Sequence, residues 1–183
     1  MTATAFRIFK WTIYALLVLN TWLFLRTEDT LTAFLDSAAW VLLLCVMEYE
    51  TRSLGQDYAS PREKRIILAA SLFAYAVIIY AWLGYIREEE WTDVVNASAW
   101  LGVCAVLVWQ VYVPGEYEGA EYGIVNLLKT GLYALLVGCA LWWTVDAENP
   151  LDAVDAWLWL ACFAVIELNV FGFEHRADRP DAA

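Results

Sequence analysis

Residues 66–86 are 21 consecutive positions without a charged side chain, and residues 94–113 are 20 more. A helix rises about 1.5 Å per residue, so about 20 apolar residues cover the hydrocarbon core of a bilayer. Runs of this length predict membrane-spanning helices. Four more stretches follow with few charges. Residues 8–25 carry only Lys10, 31–47 only Asp36, 124–145 only Lys129, and 151–172 carry Asp152, Asp155 and Glu167. The chain is therefore expected to be an all-α integral membrane protein. Six transmembrane helices form one domain over its 183 residues, with connections too short for an extramembrane domain. Arg7 and Lys10 precede the first apolar stretch much as in a signal peptide, but no small-x-small cleavage site follows, so this stretch is read as a true span.

The composition agrees. Hydrophobic residues make up 62% of the chain, yet 22 acidic side chains outnumber 11 basic ones, for a net charge of −11. A chain both apolar and acidic must keep its charges outside its apolar runs. That excludes an ordinary soluble enzyme and a disordered acidic tail, and the shortage of basic residues excludes a nucleic-acid partner. The basic residues are also unevenly placed. Arg7, Lys10, Arg52, Arg62, Lys64, Arg65, Lys129, Arg176 and Arg179 fall on one side, and only Arg26 and Arg87 on the other. The positive-inside bias then puts both termini in the cytoplasm, in a bacterial or archaeal inner or plasma membrane.

Internal similarity divides the chain further. Asp36-Ser-Ala-Ala-Trp40, Asn96-Ala-Ser-Ala-Trp100 and Asp155-Ala-Trp-Leu-Trp159 align without gaps, and a polar residue follows ten positions after each Trp: Glu50, Gln110 and Asn169. The odd-numbered spans align on Tyr14-Ala15, Tyr75-Ala76 and Tyr133-Ala134. A common period of about 60 residues suggests three tandem two-helix hairpins, 6–61, 62–121 and 122–177. Units with an even number of spans point the same way, so their symmetry axis runs along the membrane normal. The expectation is a pseudo-threefold bundle within one chain.

At about 100° per residue, Asp36, Trp40, Leu43, Met47 and Glu50 form one stripe. Asn96, Trp100, Val103, Leu107 and Gln110 form the same stripe on the fourth span, and Asp155, Trp159, Cys162, Ile166 and Asn169 on the sixth. Polar residues thus end a repeated stripe that is aromatic and then apolar between them. Carboxylates inside a span are costly and mark a pathway or a buried partner. This makes Asp36, Asn96, Asp155, Trp40, Trp100, Trp159, Glu50, Gln110 and Asn169 the candidate pathway. Glu48 and Glu167, off the stripe, are the candidate buried acids. The structural reading of the same residues is simpler: carboxylates in the first turns of a helix lie near the headgroups, and a Trp layer packs as core.

Other chemistry lacks its residues. His175 is the lone histidine, and Cys45, Cys104, Cys139 and Cys162 all sit inside apolar spans and are read as small lipid- or protein-packed hydrophobes. No haem, diiron or zinc ligand set, no glycine-rich phosphate loop and no nucleophile elbow is present, so neither an enzyme nor a cofactor is expected. The 11 Trp residues are shared in spirit with the tryptophan-rich sensory proteins, but that family's five spans and Pro-rich Trp motifs are missing, and no family is assigned.

Two functions remain. One is a small channel or carrier for a cation or small polar solute, its pathway lined by the even-numbered helices, with acidic faces that concentrate cations. The other is a non-catalytic accessory subunit of a larger membrane complex, or a binder of a lipid, quinone or pigment. Either could act as a homo-oligomer, and a high-salt habitat would explain the acidity without a transport role.

Overall fold

The computed structural model describes residues 3–27, 31–52, 60–112, 120–146 and 150–177, with side chains omitted in some terminal turns and in α6 beyond Ala164. Six helices account for nearly all of these residues: α1 (Ala3–Arg26), α2 (Leu31–Arg52), α3 (Pro61–Glu88), α4 (Trp91–Tyr112), α5 (Ala120–Asp146) and α6 (Pro150–Ala177). Five of them, α1 to α5, are long and apolar enough to cross a membrane. The expected sixth span, 151–172, lies partly outside the described side chains.

Local signals set the ends. Ser60 caps α3 by accepting a hydrogen bond from the Glu63 amide at 3.2 Å, and Pro61 follows at the first helical position. At the other end Glu89 adopts φ 61 and donates its amide to the Tyr85 carbonyl, so that α4 begins two residues later.

The chain divides into two compact units, Thr21–Cys139 and the pair of segments Met1–Asn20 and Ala140–Ala183. In the first unit α2 lies closest to α3, which also packs on α4. The buried face of α3 is Ala74, Ile78, Ala81 and Tyr85, and its two alanines allow a close approach. Gly84 completes that face. A Cβ there would stand 2.8 Å from Thr32 Cγ2, and the Thr32 hydroxyl is held by Glu88 at 2.8 Å. By contrast, nothing lies within 4 Å of where a Gly131 Cβ would be. Gly84→Ala should therefore cost about 1–3 kcal/mol, whereas Gly131→Ala should be neutral or stabilise by up to about 1 kcal/mol. Unfolding in mixed detergent micelles separates the two.

In the second unit α6 packs on α1 through Asp155 and Asn20, and on α5 through Trp157, whose indole donates to the Thr144 hydroxyl at 3.0 Å. The other hairpins are tied in a similar way: Thr21 and Ser37 hydroxyls meet at 2.7 Å, and Trp82 donates to Ser98 at 3.0 Å.

Burial follows the 60-residue period. Leu17, Ile78 and Leu136, at matching positions of the odd-numbered helices, are each at most 1% exposed. One turn on, Asn20, Ala81 and Cys139 are all buried. In the even-numbered helices the matching sets Trp40, Trp100 and Trp159, and Leu43, Val103 and Cys162, are buried as well. The outward faces are just as apolar, as Leu16, Val18, Ile79, Leu83, Leu135 and Val137 illustrate. Helices that are apolar on every side suit lipid as the surrounding solvent.

Candidate functional site

Asp36, Asn96 and Asp155 are each the sixth residue of their helix and each half-buried. Five residues of rise place them about 7–8 Å along the helix from its start. The Trp residues four positions on share their face, as the helical period requires.

In the unit Thr21–Cys139 the Trp40 indole donates to Asp36 Oδ1 at 3.1 Å, and the Tyr85 hydroxyl reaches Asp36 Oδ2 at 3.4 Å. Trp40 and Trp100 touch, with ring centroids 6.3 Å apart at 56°, so α2 and α4 do turn their repeated faces toward each other. The Asn96 Oδ1 is buried and accepts no hydrogen bond. Farther along, Leu43 and Val103 are buried, and the Tyr75 side chain bonds to Cys104 between α3 and α4. The Leu43–Val103 level carries no polar side chain, and in the aromatic pair the Trp40 indole N–H is already given to Asp36.

In the other unit Asp155 accepts from Asn20 Nδ2 at 2.9 Å and from the Trp159 indole. The pattern matches Asp36: an indole one turn along on the same helix, and a donor from an odd-numbered helix. Trp159 packs at 6.4 Å on Phe163, and Cys162 is fully buried. Asn20 Oδ1, like Asn96 Oδ1, is buried and accepts nothing. Among the described residues Glu63 Oε2, in the first turn of α3, is a third such acceptor. An unsatisfied buried acceptor costs about 1–3 kcal/mol, so at Asn20 and Asn96, within the spans, a further donor would stabilise the fold.

No family model, curated protein or solved structure matches this chain. Its chemistry must be read from its own residues.

The remaining expected site residues divide. Glu50 is exposed and Met47 half-buried, so the stripe leaves the interior before the end of α2. Glu48 is half-buried and not fully enclosed, because it lies off the packed face and close to the helix end. The side chains of Gln110, Glu167 and Asn169 lie outside the described residues. Sequence reading missed Asn20. It lies within the first apolar run, and a polar amide at that depth was the available signal. Its matches in the other odd-numbered helices are Ala81 and Cys139, so the period did not point to it.

Proposed function

We propose that the chain is a small integral membrane carrier or channel for a cation, built from three hairpin copies that close around a pseudo-threefold axis with the even-numbered helices lining the pathway. Both termini lie in the cytoplasm in this reading. The matching burial of both helix types, and the similar contacts of Asp36 with Tyr85 on α3 and of Asp155 with Asn20 on α1, support the three copies. The observation that carries the function is the acceptor excess. Two carboxylates and two unsatisfied amide oxygens occur within the spans, where only a donor or a cation would stabilise them. In this reading Leu43 and Val103, buried beyond the Trp40–Trp100 contact, are the hydrophobic gate in its closed state.

A packed apolar layer also suits a non-transporting subunit, and one further feature favours a lipophilic ligand. A groove of about 520 Å³ between α5 and α6 is lined by Trp143, Thr144, Pro150, Ala153, Val154, Trp157 and Leu158. It contains none of the stripe residues. Flux into liposomes distinguishes the readings. The wild type should pass at least one small cation, and Asp36→Ala, Asn96→Ala and Asp155→Ala should each slow it by about tenfold or more. A wild type that passes nothing across a broad panel of ions and small solutes leaves the subunit reading.

A further inference from the structure

Asn20 is 2% exposed, and its carboxamide is divided in use. Nδ2 donates to Asp155 at 2.9 Å, while the buried Oδ1 accepts nothing. With the Trp159 indole also bonded to it, Asp155 faces two N–H donors, an arrangement suited to a charged carboxylate. The spare amide oxygen beside it is suited to a donor. A carboxamide exchanges its donor and its acceptor by half a turn, so one residue can serve both protonation states of its neighbour.

The ligand set argues against a metal ion. One carboxylate and one amide oxygen fall well short of the roughly six oxygens that hard cations such as Mg²⁺ and Ca²⁺ take. Among the described residues no three His, Cys, Asp or Glu side chains converge on a metal-sized site. A proton needs only one carboxylate oxygen and an acceptor for the O–H it creates.

We propose that Asp155 is where this protein takes up and releases a proton, and that Asn20 is its positioning residue, turning its carboxamide to follow the change. Uptake adds one proton from water to a carboxylate oxygen of Asp155 and makes a neutral acid whose O–H donates to Asn20 Oδ1. Release returns the proton to water, and no electron moves. Of the charged groups on the packed helices, Glu167 and the rest of α6 beyond Ala164 lie outside the described side chains. Asp152 lies one turn toward the start of α6, and Asp146 is exposed at the end of α5. On α1, Arg26 lies over the Trp22 ring at 5.1 Å, and Lys10 is about 15 Å along the helix from Asn20. That this proton crosses the membrane rests on the transport reading above.

The test is infrared difference spectroscopy of the full chain in lipid vesicles, stepped between about pH 5 and pH 9, paired with a proton-sensitive dye inside the vesicles. A carboxylic acid carbonyl band should appear on acidification and vanish in Asp155→Asn. It should move to higher frequency in Asn20→Leu, which keeps the volume but removes the acceptor, and which serves if Asp155→Asn does not insert. Dye-reported proton entry should fall by about tenfold or more in Asp155→Asn. Absence of any band that depends on Asp155 overturns the proposal, and a band unmoved by Asn20→Leu overturns the role of Asn20. If no band depends on Asp155 while the vesicles still pass another cation, the proposal fails and the transport reading stands. If the band behaves as expected and no ion crosses, the protonation site stands and the transport reading fails.

Discussion

Leu136→Ala is expected to lower stability by about 2–5 kcal/mol, while its neighbour Leu135→Ala should cost less than about 1 kcal/mol. The two residues have the same chemistry and adjacent positions in the same apolar run. In water both would be expected to matter in proportion to the area they bury. In a bilayer the solvent is itself hydrocarbon, so removing an outward side chain exchanges one apolar contact for another. Removing an inward one leaves a cavity that lipid cannot fill. Leu136 is 1% exposed and Leu135 is 52% exposed, which makes this pair a sharp comparison. Ile78 with Ile79 and Leu17 with Leu16 repeat it on α3 and α1. Reversible unfolding of each purified variant in mixed micelles reads the difference. Equal costs within each pair would mean that the inward faces are wrongly assigned.

The second large effect concerns the apolar layer. Leu43→Ser together with Val103→Ser should raise the basal cation leak of proteoliposomes by about tenfold or more, because a dry constriction becomes wettable when hydroxyls replace its methyl groups. Both residues are buried on the repeated face, in the same unit and beyond the Trp40–Trp100 contact. In a solid, non-transporting bundle the same substitutions would lower stability and leave the leak unchanged. The leak and the stability therefore report on different readings.

The helices, and the buried first half of the stripe on α2, α4 and α6, were readable in the sequence because both follow from periodicity. Uninterrupted apolar runs set the lengths, and the 3.6-residue period put Asp36 with Trp40 and Asp155 with Trp159 on one face. Neighbour choice was not readable to the same degree. The close approach of α2 and α3 depends on Ala74, Ala81 and Gly84, and small residues announce that a helix can approach another without saying which. The role of Asn20 was hidden for a similar reason. Its partner lies 135 residues away, and no local pattern encodes that meeting. The polar end of the first stripe differs from its start: Glu50 continues the period, but α2 is near its end there and the side chain is exposed.

Convergence of the three proposed hairpin copies can be measured with thiols. In a chain lacking Cys45, Cys104 and Cys139, Leu43→Cys and Val103→Cys would join the native Cys162 at matching levels of the three even-numbered helices. Soft metal ions prefer thiolate ligands, so three thiolates around one axis should bind a single Hg²⁺ or Cd²⁺ per chain, with a thiolate charge-transfer absorption that is weak in each two-thiol version. One tightly held ion per chain is the predicted result. Three thiols that react independently, with no cooperative uptake of metal, would contradict it.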